Sequence, residues 1–413
     1  EYKNVYRPAR VISYDKESGE LVLHNYMDFD NLKDYVKISY ELTQDGLLIG
    51  KGKLAEVSVV PHSEGKTNLQ VNVPENGKCY LKLIYHLKKE MPLLEEDYIL
   101  GFDEIEVSQK DAKCQLAEKW VEKTVTDSEL QVSEDDTQIH IKGREFAYTI
   151  DRRTALFTEM KFAGREYLNH PMELNIWRAP TDNDMYIKSE WKKAHYDKAY
   201  TRAYTTEVVQ GKHGVKITSH ASVVAETVQK ILDVTITWKI EAAGKIDADI
   251  AVTKDDEFPD LPRFGVRMFL DKKLSAVRYF GMGPQESYCD KHQAASHGLY
   301  QANVDDLHED YIRPQENGSH YDCEYVELNN SRYGIVVSAE NAFSFNASYY
   351  TQEELEKKTH NYELTESDSV VFCVDYALNG IGSNSCGPVV LEQYRFDDVL
   401  FRFQFTLIPY VKG

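Results

Sequence analysis

Short β-type runs separated by turn residues are the feature that most limits what this chain can fold into. Val36 to Thr43 and Leu47 to Lys53 have the composition of strands, and Gln44-Asp45-Gly46 between them is typical of a hairpin turn. The same pattern gives about seven strands in the first hundred-odd residues. It predicts an immunoglobulin-like β-sandwich at residues 1–110.

Strand patterning resumes after a charged stretch at 111–126, which we interpret as a connector. In Ile231 to Ile240, Val234, Ile236 and Trp238 occupy alternate positions, as expected for a half-buried strand. Residues 127–413 show no clear alternation of strands and helices, which predicts one large antiparallel sandwich. The predicted fold class is therefore all-β, with two sandwiches in succession.

Local signals place one of these N-terminal strands and predict two helices. Alternating apolar residues indicate a strand at Asn68 to Val73. Thr351 and Glu354 have capping-box spacing, which predicts a helix from Thr351 to Lys357, and a second helix is expected from Ser189 to Tyr196.

Charge and motif content exclude several classes of function. The net charge of −20 would repel a phosphate backbone and an anionic membrane surface, so neither nucleic acid nor a membrane is an expected partner. No apolar run reaches the roughly 20 residues that a membrane span needs. The sequence also has no GxGxxG, GxxxxGK[ST], HExxH or GxSxG motif.

Six cysteines are scattered without CxxC spacing, which favours reduced thiols over disulfides or a zinc site. We therefore expect a cytoplasmic protein. A periplasmic location is the alternative, because an upstream signal would not be visible in this sequence.

A polar loop with an aromatic neighbour lies at Trp177 to Asp184. Pro180 and the Asp-Asn-Asp triplet at 182–184 favour a loop that can exchange hydrogen bonds, and Trp177 offers a flat face on which a sugar could stack. The alternative is a structural turn in which Arg178 pairs with a neighbouring carboxylate.

Three further segments combine glycine with polar residues. In Tyr279 to Tyr288 and onward, Glu286 and Asp290 could form a carboxylate pair, although we favour a structural Glu286 that accepts from backbone amides or an arginine. Tyr311 to Gly318 is predicted as an ordered loop before a strand. Gly380 to Pro388 is predicted as a shaped surface loop, and a nucleophilic Cys386 is disfavoured because no histidine lies near it in sequence.

These segments together resemble the C-terminal part of the bacterial β-galactosidases of glycoside hydrolase family 2. Arg178 to Asp184, Gly281 to Tyr288 and Arg313 to Gly318 look like that family's signatures, in its order. Glu1 to Pro8 is similar to the point where the family's chain leaves its catalytic barrel. The resemblance therefore covers nearly all of the chain.

The resemblance implies the last two of the family's five domains. These are an immunoglobulin-like domain and a terminal β-sandwich of the galactose mutarotase type. In the family, the acid/base and nucleophile glutamates lie in the TIM barrel, together with sites for Mg²⁺ and Na⁺. The resemblance therefore implies no catalytic residue, metal site or cofactor in this segment, but Mg²⁺ and Na⁺ for the whole enzyme.

The resemblance also implies that loops of the terminal sandwich contribute to the rim of the sugar pocket. Cys386 matches a position where some members place a tryptophan against the sugar, and a thiol cannot stack in that way. The rim residues predicted in this manner are Asp182, Asn183, Asp184, Asn384, Ser385 and Cys386.

The leading hypothesis is the non-catalytic C-terminal portion or small subunit of a retaining β-galactosidase. Its expected partners are a β-galactoside such as lactose and a catalytic barrel in the same or a separate large chain, with an oligomer expected when intact. One alternative is a free-standing carbohydrate-binding protein. Another is a mutarotase-like enzyme, for which the candidate acids and bases are His292, His297, His308 and His320.

Overall fold

A computed structural model describes residues 1–121 and 130–412. The predicted start of the large sandwich at Asp127, and residues 122–126 of the predicted connector, lie outside the described residues. The chain divides into two compact units. The N-terminal unit comprises residues 1–116 together with 292–300, and the large unit comprises 117–291 together with 301–413.

Seven strands build the N-terminal unit from its first hundred-odd residues, which confirms the predicted count. They form two antiparallel sheets with the orders β1-β2-β5 and β4-β3-β6-β7. Leu21 and Leu23 of one sheet and Leu81 and Leu83 of the other are buried in one apolar core. The strands are β1 (Ala9–Tyr14), β2 (Glu20–Asn25), β3 (Val36–Gln44), β4 (Leu47–Lys53), β5 (Glu64–Asn68), β6 (Cys79–Leu87) and β7 (Ile99–Glu106).

The predicted strand at Asn68 to Val73 is wrong, because β5 ends at Asn68. Leu69 is buried, and Val71 and Val73 pack against the same core, so the apolar alternation is real. The Leu69 N–H, however, donates to the carbonyl of Gly19 in a turn, and no strand is assigned to 69–73. The alternating apolar residues therefore indicate that this segment is buried, but not that it is a strand.

Residues 292–300 belong to the N-terminal unit, although they are distant from the rest of it in sequence. The His297 ring stacks on Tyr80 with ring centroids 4.1 Å apart, and its Nδ1 lies 2.7 Å from Glu104 Oε1. Gly46, at φ +76°, lies so close to Leu299 that an added Cβ would sit 2.2 Å from its backbone nitrogen. Nothing in the sequence pattern indicated this insertion.

The large unit is built on a long antiparallel sheet whose main path runs β13-β18-β23-β22-β24-β17-β16-β15-β14. Strand β21 pairs with β22 and with β19, and a separate sheet has the order β12-β11-β10-β9-β8. The all-β prediction is confirmed. The strands of the large unit are β8 (Gln131–Glu134), β9 (Gln138–Lys142), β10 (Phe146–Asp151), β11 (Leu156–Phe162), β12 (Arg165–Glu166), β13 (Leu168–Asn175), β14 (Tyr200–Gln210), β15 (Gly214–Val224), β16 (Leu232–Glu241), β17 (Ile246–Lys254), β18 (Arg263–Asp271), β19 (Ala276–Gly283), β21 (Ser319–Asn329), β22 (Tyr333–Ser348), β23 (Ser369–Leu378) and β24 (Leu400–Val411). Strand β20 (Ser296–Asn303) begins in residues of the N-terminal unit and ends in residues of the large unit.

Short helices interrupt the strands. The predicted helix after Thr351 is confirmed, because the Thr351 hydroxyl accepts the Glu354 N–H at 3.1 Å at its start. The helix expected at Ser189 to Tyr196 runs instead from Ile187 to Lys193. It ends early because His195 adopts a left-handed φ of 57°. The helices are α1 (Tyr2–Val5), α2 (Leu32–Tyr35), α3 (Glu118–Val121), α4 (Ile187–Lys193) and α5 (Gln352–Lys357).

Candidate functional site

A buried guanidinium joins the two loops that carry the predicted rim residues. Arg178 follows β13, and its Nε and Nη2 lie 3.1 and 2.7 Å from the two carboxylate oxygens of Asp184. The same guanidinium donates to the carbonyls of Asn379 and Gly380, the latter at 3.1 Å. Burial disfavours the charged guanidinium, but the Asp184 carboxylate outweighs that cost and raises the pKa of Arg178. The structural alternative for this segment, a turn anchored by Arg178, is confirmed.

Asp184 closes the turn from inside. Its Oδ2 accepts the Thr181 N–H at 2.8 Å and the Thr181 hydroxyl at 3.1 Å, which forms a capping box on the short 3₁₀ turn Asp182–Asp184. Only 2% of Asp184 is exposed. The prediction that Asp184 belongs to the rim is therefore corrected, because its carboxylate is occupied by Arg178 and Thr181 beneath the surface.

Trp177 offers no surface on which a sugar could stack. It is 3% exposed, and it meets Trp191 edge-on with ring centroids 6.3 Å apart. The suggestion that Trp177 supplies an open stacking face is wrong, because the aromatic ring belongs to the interior of the large unit.

The two predicted rim segments meet at Asn183. Its Nδ2 donates to the Gly382 carbonyl at 2.7 Å, and its Oδ1 accepts the Ser385 hydroxyl at 2.7 Å. Asp182 is exposed beside it, and its N–H donates to Gln315 Oε1 at 3.0 Å. Asn384 is half-buried, whereas Ser385 and Cys386 are exposed. Five of the six predicted residues thus lie on two loops that contact each other at the surface.

The glycine-rich loop is built around a carboxylate of the chain itself. Asp290 accepts the N–H groups of Ile381 and Gly382 at 2.9 and 2.7 Å. A Cβ on Gly380 would lie 2.8 Å from Asp290 Oδ2, so this close approach requires glycine. The loop is a shaped surface loop, as predicted, and its amide donors already have an anionic partner.

Glu286 is a structural acceptor, as predicted. It accepts the Gly318 N–H at 2.8 Å, the Lys291 ammonium and the Tyr311 hydroxyl. The cation is thus a lysine rather than an arginine. Burial and the adjacent Glu286 carboxylate raise the pKa of Tyr311 to about 12. Glu286 and Asp290 bind different partners, so they do not act as a catalytic pair.

A second buried cation was not predicted from the sequence. Arg263 opens β18 and pairs with Asp375 of β23, with its Nε 3.0 Å from Oδ1, and its Nη1 lies 3.2 Å from Glu316 Oε1. The Glu316 N–H donates to the Ala179 carbonyl at 3.0 Å, so this cluster supports the loop that precedes Asp182. The available signal was Asp375, the single charged residue of the otherwise mostly apolar strand β23.

The four candidate histidines do not come together as a catalytic pair. His292 and His297 belong to the N-terminal unit, whereas His308 and His320 belong to the large unit. His320 is 1% exposed, and its Nδ1 donates to the Met282 carbonyl at 3.2 Å. Burial lowers the pKa of His320 to about 4.

Neither a metal centre nor a membrane span is found in the part of the chain that the structure describes. Within residues 1–121 and 130–412, no three His, Cys, Asp or Glu side chains are grouped so that they could hold a metal ion. No helix in these residues has the length and apolar character needed to cross a membrane. The Mg²⁺ and Na⁺ expected for the whole enzyme stay a prediction about its barrel.

Comparison with known families identifies the region. Residues 142–407 match the family described as "Beta galactosidase small chain". The chain belongs to this family. Residues 21–108 of this small-chain family member match "Beta-galactosidase, domain 4". The two matches follow the order that the resemblance implied, so that resemblance is confirmed.

Two relatives of this small-chain family member align over almost its whole length. A β-galactosidase of Actinobacillus pleuropneumoniae is 42% identical over 410 residues, which are 99% of this chain and 39% of that protein. A β-galactosidase of Staphylococcus xylosus is 30% identical over 413 residues, which are 98% of this chain and 40% of that protein. The chain thus spans well under half the length of these relatives.

Solved structures similar to this small-chain family member are more distant. A galactose 1-epimerase from Lactobacillus acidophilus aligns with a TM-score of 0.38 and 8% identity, over 70% of this chain and 100% of that one. An aldose epimerase homologue from C. elegans aligns with a TM-score of 0.33 and 8% identity, over 69% of this chain and 99% of that one. The family assignment depends on the sequence matches alone.

Proposed function

We propose that this chain is the non-catalytic small-chain part of a β-galactosidase and that it shapes the rim of a sugar pocket on a catalytic barrel. The observation that carries the proposal is the contact at Asn183, which holds two exposed loops together on a buried support. The relatives named β-galactosidase are more than twice as long as this chain, which leaves room for a barrel elsewhere. That barrel would lie in the same or a separate chain.

The whole enzyme would hydrolyse terminal β-galactosides such as lactose with retention. One carboxyl group of the barrel would protonate the leaving oxygen, and the other would form the glycosyl intermediate that water then hydrolyses. Glu286, Glu316 and Asp290 of this chain are occupied by internal partners, which supports a positioning role here. Asp182, Asn183 and the loop at Cys386 would order the rim and exclude water.

The decisive experiment is hydrolysis of a chromogenic β-galactoside by the purified chain, alone and mixed with a barrel-containing partner. Activity in the mixture only is the expected result. Activity of the chain alone would contradict the non-catalytic assignment. Equal activity of the partner with and without this chain would contradict the completing role.

Replacing Asn183 with Ala tests the rim within the assembled enzyme. Loss of the loop contact should lower kcat/KM by about tenfold, which corresponds to about 1.4 kcal/mol, while the free energy of unfolding of the chain changes by less than about 1 kcal/mol. Steady-state hydrolysis and urea unfolding measure the two quantities.

Asn303→Ala is the matched control. Asn303 is exposed, and both its backbone N–H and its side-chain amide donate to Asp306 within the same turn. Its kcat/KM should equal that of the parent enzyme. Should N183A instead unfold the chain and leave the activity of the folded fraction intact, Asn183 would be a structural residue and not part of a rim.

A further inference from the structure

The chain contains three Asn-Gly dipeptides, which the fold places in different surroundings. They are Asn76-Gly77, Asn317-Gly318 and Asn379-Gly380. Asparagine is thermolabile, and most of all before glycine, because glycine has no Cβ to keep its backbone nitrogen away from the preceding side-chain amide. None of the predicted rim residues belongs to these dipeptides, so a reaction at one of them goes beyond the proposed function.

The reaction is deamidation through a cyclic imide. The glycine nitrogen forms a bond to Cγ of the asparagine, the bond from Cγ to Nδ2 breaks, and the glycine N–H proton leaves with Nδ2 as ammonia. Water then opens the imide at either carbonyl, which leaves aspartate or an isoaspartate whose main chain runs through the side chain. Water is the only co-reactant. Ring closure requires a glycine nitrogen and a side-chain amide that can move towards each other.

Asn317-Gly318 is held in the interior of the large unit. The Gly318 N–H donates to Glu286 Oε2 at 2.8 Å. The buried Asn317 side chain is fixed at both ends, because its Oδ1 accepts the Glu309 N–H at 3.0 Å and its Nδ2 donates to the Gln315 carbonyl at 2.8 Å. Ring closure here must first break hydrogen bonds that water does not replace.

Asn379-Gly380 is held in the same way. The Gly380 N–H donates to the Tyr394 carbonyl at 2.8 Å, and Asn379 Oδ1 accepts the Phe396 N–H at 2.9 Å. Asn379 is 2% exposed, and its own carbonyl accepts from the Arg178 guanidinium. The attacking nitrogen and the amide it would attack are therefore both engaged.

Asn76-Gly77 lies in the loop before β6 and lacks these restraints. Asn76 is exposed, and its side chain contacts only exposed groups, with Oδ1 3.1 Å from Gln44 Nε2 and Nδ2 3.4 Å from Gln115 Oε1. Water can replace such bonds at little cost. The Gly77 N–H donates to no other residue that the structure describes. Gly77 packs against Gln44 and Asp45, but the attacking nitrogen and Cγ belong to adjacent residues.

We propose that Asn76 is a site of spontaneous deamidation in the folded chain and that the fold protects Asn317 and Asn379. The local sequence does not explain this difference, because Glu75 precedes Asn76 just as Glu316 precedes Asn317. What differs is burial and the hydrogen bonding of the glycine N–H.

The product adds a negative charge beside Asp45. Asp45 Oδ1 accepts the Lys78 N–H at 2.8 Å and Oδ2 accepts the Gln115 N–H at 3.2 Å, so this carboxylate joins the turn after β3 to the loop before β6 and to residue 115. A Cβ on Gly77 would lie 3.0 Å from Asp45 Oδ2, which shows how close the altered loop is. Like charges at such short range repel, so deamidation should loosen these contacts.

The test incubates the folded chain in heavy-oxygen water at mildly alkaline pH and quantifies label uptake and isoaspartate at the three sites by peptide mapping. Each deamidation incorporates one oxygen atom from the water. Asn76 should react at least about tenfold faster than Asn317 and Asn379, which corresponds to a difference of about 1.4 kcal/mol in activation free energy. In the urea-unfolded chain, Asn76 and Asn317 should react at similar rates, because the protection is lost.

Two variants separate the chemistry from its consequence. Asn76→Gln should abolish isoaspartate formation at this position, because the longer side chain closes a ring far more slowly, and should leave the other two sites unchanged. Asn76→Asp carries the product's charge with a normal main chain, and should lower the urea midpoint of the N-terminal unit relative to Asn76→Gln. Equal midpoints would overturn the expected effect on Asp45.

Three results would overturn the proposed site itself. They are no reaction at Asn76 in the folded chain while the unfolded chain reacts, equal rates at the three sites in the folded chain, or a preference for Asn76 over Asn317 that persists in urea. None of these measurements involves β-galactoside hydrolysis, so failure here leaves the rim proposal standing.

Discussion

His320 lies in the interior of the large unit as a neutral imidazole. Its ring stacks against Phe345 with ring centroids 5.1 Å apart and tilts against Tyr279 at 4.4 Å, which leaves the Met282 carbonyl as the acceptor for its Nδ1. A protonated ring would place a charge among aromatic side chains. Burial therefore lowers the pKa of His320 to about 4, below its ordinary value of 6.5.

The pH dependence of stability follows from this shift. Because the unfolded chain binds a proton at His320 more readily than the folded chain does, stability is lost as pH falls from 6.5 towards 4. The loss should reach roughly 3 kcal/mol at its limit. Urea unfolding at several pH values measures it, and His320→Phe should flatten the curve in this window. An equally steep curve in H320F would assign the acid sensitivity to other groups.

Asn183 and Asp184 show how far the position of a single side chain can be predicted from sequence. They are adjacent polar residues in one loop, and the resemblance placed both at the rim. Only tertiary contacts separate them, because Arg178 draws Asp184 inward while Asn183 reaches Gly382 on a distant loop. The loop itself was predictable from Pro180 and the Asp-Asn-Asp triplet, but the buried partner of each side chain was not.

Gly265 marks a bulge at which β18 meets β23. The register between the two strands shifts between Phe264 and Gly265. An added Cβ would lie 2.2 Å from the Val374 carbonyl oxygen and 2.4 Å from Asp375 Oδ1. The close approach lets Asp375 reach Arg263, so the bulge and the buried ion pair depend on the same glycine.

Gly265→Ala should therefore destabilise the large unit by about 3 kcal/mol, because backbone and a paired carboxylate must move. Gly211→Ala is the control, since its Cβ would meet nothing nearer than 3.5 Å. The control should be neutral or stabilising by about 0.5 kcal/mol. Urea unfolding measures the stability of both variants. Equal stability of G265A and G211A would show that β23 can move to accommodate the added methyl group.

Hairpins and the helix after Thr351 were predictable because their signals are local. Asp45-Gly46 fits a tight turn, and the Thr351 hydroxyl needs only a backbone amide three residues away. The irregular segment 69–73 and the early end of α4 were not predictable. The segment is fixed by a hydrogen bond from Leu69 to Gly19, and α4 ends because of the left-handed backbone of His195. Non-local contacts and single left-handed residues leave little trace in apolar periodicity.

At the scale of the whole molecule, the N-terminal unit is discontinuous in sequence. Residues 292–300 complete it through His297, whose N–H also donates to both carboxylate oxygens of Glu104 at 3.0 Å, and through Ser296, which accepts from Lys82 at 2.9 Å. A fragment that ends at Leu116 lacks all these contacts.

A fragment of residues 1–116 should therefore gain stability when a synthetic peptide of residues 292–300 is added. At a peptide concentration of 100 times its dissociation constant, the gain should be about 2.7 kcal/mol. Thermal unfolding measures it, and the same peptide with His297→Ala is the matched control. Identical melting with either peptide would show that His297 does not hold the segment.

Because of this discontinuity, the N-terminal unit cannot finish folding until residue 300 has been synthesised on the ribosome. Domains usually fold from the N-terminus as they emerge, at roughly 5–20 residues per second. Here the nascent chain must be extended from residue 116 to residue 300 before the N-terminal unit has all its parts, a wait of roughly 10–40 s. During that interval the N-terminal unit lacks the contacts of Ser296 with Lys82 and of His297 with Glu104, so it reaches its final stability only after residues 117–291 of the large unit have been synthesised.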